Sequence, residues 1–209
     1  MSTDTPFLDT YWRLLTLKRD WKRYFAGVKS TPRIIALSKS GTHSMSKFNE
    51  DAIELIQDFG IEGDVHAGKT VKHRYLVFKK KDAPNLRQVH LIHRELFDEL
   101  KAEGFDIQPG LIGENITTEG IELLNLPTNT ILHLGESAQL KVTGLREPCK
   151  QLNGIRQGLL KAVISKDNEG NIFRKTGVMS VVLKGGKVHK TDTIRVEYPP
   201  EPFHPLVCV

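Results

Sequence analysis

Short β-prone segments separated by turns fill the second half of the chain, and they limit its fold more than any other feature. Turn residues such as Pro127-Thr128-Asn129 and Gly185-Gly186 stand between them. Strands this short and evenly spaced, without regular alternation with helices, favour a barrel over a doubly wound sheet. We therefore expect a mainly β fold, a closed β-barrel with peripheral α-helices, with strands at 111–118, 130–134, 138–143, 177–183 and 193–198.

Local patterns in the rest of the chain predict further elements. Residues 60–68 are rich in Gly and Asp and read as a loop. The proline-rich stretch at residues 199–205 is expected to run extended over the surface. The remaining patterns predict strands at 33–38, 74–78 and 86–92 and helices at 51–59, 93–103 and 150–164.

An amphipathic helix is predicted at residues 7–26, with Trp12 and Trp21 in its apolar stripe and basic residues opposite. Such a stripe usually packs on the domain or on a second subunit. Packing on a second subunit would make the protein a homodimer. The alternative is a membrane-surface or targeting helix, although Asp4 and Asp9 are unusual for a transit peptide. We therefore divide the chain into a helical extension at residues 1–30 and one domain at residues 31–209.

Charge and cysteine content narrow the class of protein. The net charge of +5 is mild for 209 residues, and the basic residues are spread along the chain. This pattern suits a small anionic ligand and does not favour nucleic acid. Two cysteines, no apolar signal region and no apolar run of about 18–20 residues predict a cytoplasmic protein without a transmembrane segment.

Cys149 is the residue most suited to chemistry. Pro148 stiffens the approach to it, and the helix predicted at 150–164 would place the thiol at a helix N-terminus. Arg146 and Lys150 also favour a thiolate, the form that binds a soft metal or takes up sulfur. A buried, inert cysteine is the alternative, because free cysteine is among the most buried residue types.

Two glycine-containing segments are candidate ligand-binding loops. In the loop at 60–68, close backbone approach by Gly63 would accompany Asp64 and His66, which can share a proton or bond a heterocycle. The segment at 109–120 places Asn115 and Thr117 on alternate positions of a strand, where the amide would suit a pterin or purine edge. A turn capped by Asp64 and a solvated edge strand are the alternatives.

Three motifs follow one another along the chain: Gly63-Asp64-Val65-His66, Gly113-Glu114-Asn115-Ile116-Thr117-Thr118-Glu119-Gly120 and Arg146-Glu147-Pro148-Cys149. In this order they resemble the motifs of MOSC domains, the family named after the C-terminal domain of molybdenum cofactor sulfurase. The resemblance begins near residue 31, continues to the end of the chain, and leaves out the N-terminal helix.

The resemblance implies a β-barrel that binds a pyranopterin molybdenum cofactor. The family's cysteine is the molybdenum ligand in reductase members and a proposed persulfide carrier in sulfurases, and Cys149 matches it. With Cys149, Asp64 and His66 are the implied catalytic residues. The implied cofactor-binding residues are Gly63, Glu114, Asn115, Thr117 and Arg146.

Departures from larger family members limit the expected activity. This chain is too short for the sulfurase domain that binds pyridoxal phosphate, which stays a family-level association, and two cysteines cannot hold an iron–sulfur cluster. An electron donor or a cysteine desulfurase would therefore be a separate protein.

Three functions follow from the resemblance. The favoured one is a molybdenum-dependent oxidoreductase that reduces a small N-hydroxylated compound. The alternatives are a sulfur carrier with a persulfide on Cys149 and a domain that binds an anion without turnover.

Overall fold

Strands predominate over helices in the computed structural model, which describes residues 31–72, 82–166 and 169–209. This confirms a mainly β protein with few helices. The predicted N-terminal helix and the strand predicted at 74–78 lie outside the described residues. The strands are β1 (Arg33–Lys39), β2 (Phe48–Glu50), β3 (Ala52–Ile56), β4 (Gly60–Ile61), β5 (Val89–His93), β6 (Ile116–Glu119), β7 (Ile131–Leu134), β8 (Ala138–Leu145), β9 (Ile164–Lys166), β10 (Ile172–Arg174), β11 (Val178–Lys184), β12 (Gly186–His189) and β13 (Ile194–Glu197). The α-helices are α1 (Glu95–Ala102), α2 (Leu152–Ile155) and α3 (Leu159–Ala162), and a 3₁₀ turn covers Leu123–Asn125.

The largest sheet is open, so the prediction of a closed barrel was wrong. Its eight strands follow the order β13-β7-β8-β11-β5-β6-β1-β2, and only the β5–β6 pair is parallel among those described. The start of β1 approaches β13 through hydrogen bonds from Ile34 N to Asp192 O (2.8 Å) and from Ile194 N to Pro32 O (2.8 Å). The end of β1 pairs instead with β2, so no full ladder joins β1 to β13.

A second sheet, β12-β3-β4, covers one side of the main hydrophobic core. Ile53 and Leu55 of β3 are buried while Glu54 is exposed, an alternation with period two. The helix predicted at residues 51–59 was therefore wrong, because residues 52–55 pair with β12 and β3 buries alternate side chains.

The smaller core lies beneath the helices. The predicted apolar face of α1 is confirmed, since Leu96, Phe97 and Leu100 are buried against residues of α2 and α3. The single helix predicted at 150–164 was wrong. Arg156 is extended and separates α2 from α3, and the last residue of that range, Ile164, is the first of β9, which pairs with β10. Cys149 therefore precedes a four-residue helix, which weakens the helix-dipole argument.

No helix in the described ranges is both long and apolar enough to cross a membrane.

Candidate functional site

The segment that carries Cys149 leaves the end of β8 and is held against the start of β11. Arg146 N donates to Gly177 O at 3.1 Å, and Thr176 Oγ1 donates to Arg146 O at 3.0 Å. Pro148 is buried, whereas the Cys149 side chain is partly exposed and its Sγ lies 3.5 Å from Gln151 Oε1. The thiol is thus reachable but fixed by a rigid neighbourhood.

Arg146 interacts electrostatically with the thiol, because Cys149 favours the charged form of its guanidinium. Arg146 Nη1 is buried and has no partner in the described part of the chain. Burial lowers the pKa of Arg146, and the charges of Cys149 and Glu114 act in the opposite direction. A guanidinium whose buried nitrogen is an unused donor is suited to an anionic ligand.

Glu114 supplies a buried carboxyl group whose charge acts on both Arg146 and Lys47. Its Oε1 accepts hydrogen bonds from Gly110 N (2.5 Å) and from Thr117 Oγ1 (3.3 Å). Its Oε2 is buried without a partner among the described residues. Burial raises the pKa of Glu114, while the hydrogen bond from Gly110 N and the charge of Lys47 act in the opposite direction.

Asp64 is the centre of a buried ion pair. Its Oδ2 accepts from Lys47 Nζ at 2.6 Å and from Asn115 Nδ2 at 2.9 Å, and its Oδ1 accepts from His66 N at 2.9 Å. Burial alone would raise the pKa of Asp64, but hydrogen bonds from His66 and the charge of Lys47 outweigh it and hold the pKa well below its usual range. Burial also lowers the pKa of Lys47, against the attraction of Asp64. Asp64 therefore remains a carboxylate.

Asn115 ties three parts of the structure together. Its Oδ1 accepts from His90 N (3.1 Å), and its Nδ2 donates to Ser38 O (3.1 Å) as well as to Asp64. The amide thus joins β1, the start of β5 and the loop that carries Asp64. This places Asn115 as a residue that positions the site, and its predicted contact with a ligand stays a prediction.

The loop residues beside Asp64 are more exposed. His66 is half-buried, and its Nδ1 lies 3.3 Å from Asp64 Oδ1. Gly63 is exposed and adopts φ +77°, a conformation in which a Cβ would be strained even though nothing lies within 4 Å of it. Gly63 therefore shapes the turn that aims Asp64 inward.

The fold brings the predicted site residues into one region. We call Lys47, Asp64, Glu114, Asn115, Arg146 and Cys149 the polar cluster, and Thr117 and His66 contact its members. Among the described residues, no group of three or more His, Cys, Asp or Glu side chains is placed to hold a metal ion. The polar cluster therefore offers no metal site built from protein ligands alone.

Three residues of this region were missed by sequence reasoning: Lys47, Arg87 and His90. Lys47 lies in a polar stretch that gave no signal for burial. His90 lies in a mainly apolar strand and is buried there. A histidine within an apolar stretch is a sequence signal that could have identified it. Arg87, two positions before the start of β5, has a buried Nε without a partner in the described part of the chain.

The buried His90 makes stability depend on pH. Its Nε2 lies 2.7 Å from Thr176 O, and burial together with the charge of Arg146 lowers the pKa of His90 to about 3 from 6.5. Between these two pH values, His90 therefore carries a proton in the unfolded chain but not in the folded chain. The contribution of His90 to stability is full above pH 6.5 and is lost as the pH falls towards 3. We expect the stability of His90→Gln to decline less steeply, by up to about 1.4 kcal/mol per pH unit.

Urea unfolding from about pH 7 to about pH 5 measures this difference. The exposed His189→Gln should follow the wild-type curve. Identical pH slopes for His90→Gln and wild type would show that His90 titrates normally in the folded protein.

Comparison with known proteins identifies the family. The MOSC domain model matches residues 62–195, and the chain therefore belongs to the MOSC domain family. This confirms the resemblance seen in the three motifs.

Solved structures share the fold. The YuaD protein from Bacillus subtilis is 22% identical with a TM-score of 0.67, and the match covers 82% of this chain and 98% of that one. YiiM from Escherichia coli is 22% identical with a TM-score of 0.55, covering 82% and 73% of the two chains. YiiM from Geobacillus stearothermophilus is 20% identical with a TM-score of 0.53, covering 78% and 73%. A search of curated proteins found no match.

Proposed function

We propose that this MOSC protein binds a pyranopterin molybdenum cofactor and reduces small N-hydroxylated compounds, with Cys149 as the molybdenum ligand. The observation that carries the proposal is a partly exposed thiol that interacts electrostatically with Arg146, whose Nη1 is buried and has no partner in the described residues. When bound, the cofactor would supply the two-electron chemistry.

The residues present fit such a group. A single thiolate is a suitable soft ligand for a metal that brings its other ligands with it. Arg146 would neutralise negative charge next to the sulfur, and the free Oε2 of Glu114 would offer a hydrogen bond deeper in the same region. Thr117 holds the other oxygen of Glu114 in place.

In this proposal, the loop that carries Asp64 delivers the proton. Because its pKa lies far below the usual range, Asp64 stays ionised and orients His66 by accepting from its backbone N–H. His66 is half-buried and reaches solvent, so in this proposal it carries the proton that reduction consumes. A separate protein supplies the electrons.

The alternative is a sulfur carrier, and the exposure of Cys149 favours it. The thiolate would attack the outer sulfur of a persulfide on a cysteine desulfurase, forming a new S–S bond while the donor leaves as a thiolate. Such a carrier needs an accessible sulfur but has no use for the unpaired Glu114 Oε2, so we rank it second.

Cys149→Ser tests the proposal. In a host that makes the cofactor, we expect wild-type protein to retain molybdenum and pterin, and Cys149→Ser to hold at least about ten-fold less molybdenum. Metal analysis and pterin fluorescence measure both, and Cys208→Ser is the matched control that should keep its metal.

Two other outcomes would count against the reductase. Wild-type protein without molybdenum after such expression would contradict it. Cyanide-labile sulfur on wild type but not on Cys149→Ser would support the carrier instead.

A further inference from the structure

Strand β8, which leads to Cys149, extends further than its neighbour β7. The ladder between the two strands runs from Ala138 to Lys141 of β8 and ends there. Leu145, the last residue of β8, therefore pairs with Val178 of β11 on one side and lies beyond β7 on the other. A strand edge without a neighbour leaves its backbone donors and acceptors unpaired.

Residues 204–209, which we call the strap, cover this edge of β8. Leu145 N donates to Val207 O at 2.8 Å, and Leu145 O accepts from Val209 N at 3.3 Å. The strap therefore runs parallel to the end of β8, with Cys208 opposite Leu145. Both backbone groups of Leu145 are thus paired by the strap.

The strap is anchored at its other end independently of Leu145. Thr128 N donates to His204 O at 2.8 Å, and Thr128 Oγ1 donates to Pro205 O at 3.1 Å. Leu206 is buried in the main hydrophobic core. Residues 207–209 can therefore be removed without removing these anchors.

The strap also packs closely against the backbone of β8 at Gly144. A Cβ at this position would overlap Val207 O and would lie 2.6 Å from Val209 Cγ1. The φ of Gly144 is not positive, so space rather than backbone conformation excludes a larger residue here. A side chain at position 144 would push the strap away from β8.

The backbone just before Cys149 is held from two sides. Leu145 bonds to the strap, whereas Arg146 N donates to Gly177 O at 3.1 Å, at the start of β11. Successive residues of a strand direct their backbone groups to opposite sides, so the strap and β11 clamp two adjacent residues. Without the strap, the β11 side alone would hold the start of the segment that carries the thiol.

We propose that the strap positions Cys149 relative to Arg146, acting through the backbone of Leu145. Because Cys149 and Arg146 interact electrostatically, a displaced segment would change the reactivity of the thiol. The strap lies beyond residues 62–195, the range that the MOSC domain model matches. The inference rests on the proposed role of Cys149 as the reacting thiol, but it requires no molybdenum.

Alkylation of Cys149 by iodoacetamide in molybdenum-free protein tests the role of the strap. The reference protein carries Cys208→Ser and the test protein ends at Leu206, so Cys149 is the one cysteine in each. Mass spectrometry measures the alkylation rate from about pH 6 to about pH 10. In the shortened chain we expect the midpoint of this pH profile to rise by at least about half a pH unit, because the thiol loses its fixed place near Arg146.

Two variants, each made with Cys208→Ser, separate positioning from stability. Gly144→Ala displaces the strap in a chain of full length and should shift the profile in the same direction. Val209→Ala keeps the backbone N–H that donates to Leu145 O and should retain the reference profile. Circular dichroism and melting temperature verify folding, and Gly144→Ala carries the test if the shortened chain does not fold.

An unchanged pH profile in a folded protein whose strap is removed or displaced would overturn the proposal, because the strap would then contribute stability alone. An equal shift in Val209→Ala would also overturn it, because the backbone bonds to Leu145 would not be the cause. A shifted profile in a protein that never acquires molybdenum would count against the proposed reductase and leave the role of the strap standing.

Discussion

Replacing Asp64 by alanine should destabilise the folded protein by about 3–5 kcal/mol. Asp64 and Lys47 form an ion pair in which both side chains are almost completely buried, with Nζ 2.6 Å from Oδ2. Removing the carboxylate leaves the ammonium without its partner, and it also removes one of the two hydrogen bonds that Asn115 Nδ2 donates. Urea unfolding at neutral pH measures the loss.

A double variant separates loss of the charge pair from loss of packing. Adding Lys47→Met to Asp64→Ala removes the stranded charge, and we expect it to restore part of the stability. Glu62→Ala, on the exposed side of the same loop, is the control and should change stability by less than about 0.5 kcal/mol. A loss below about 1 kcal/mol for Asp64→Ala would show that the pair is not held as described.

Gly177→Ala should cost about 2–5 kcal/mol, because a strained backbone and a steric clash act together. Gly177 adopts φ +82°, and a Cβ there would overlap Leu91 O and lie 2.8 Å from Ile92 Cγ1. The carbonyl of Gly177 also accepts the hydrogen bond from Arg146 N. A shift of this backbone would therefore displace the segment that carries Cys149.

Two measurements test the prediction for Gly177→Ala. Urea unfolding should show the loss of stability, and any folded Gly177→Ala should bind the ligands of the Cys149 site more weakly. Gly154→Ala is the matched control, because nothing lies within 4 Å of its Cβ position and its φ is not positive. It should be neutral or more stable by about 0.5–1 kcal/mol. Equal stability of the two variants would contradict the clash at Gly177.

The sequence motifs pointed to one region of the fold, whereas the secondary structure patterns were wrong for two helices and for the closed barrel. The three motifs name residues that the fold brings into one region, and their family is confirmed. The pattern at 51–59 did not distinguish helix from strand, because five residues of β3 are too few for either period to dominate. The number of strands does not determine whether the sheet closes into a barrel, because closure depends on which strand pairs with the last residues of β1.

Local sequence by itself determined the mainly β character, the buried face of α1 and the stiff Pro148–Cys149 approach, because each depends on neighbours a few positions away. The tertiary structure decided the open sheet, the Lys47–Asp64 pair and the hydrogen bond between Asp64 and Asn115, which are 51 positions apart. It also decided that Arg87 Nε and Arg146 Nη1 are buried without a hydrogen-bond partner among the described residues. The physical reason is that the pKa and the pairing of a buried charge depend on groups that only folding brings within contact distance, and no local periodicity encodes them.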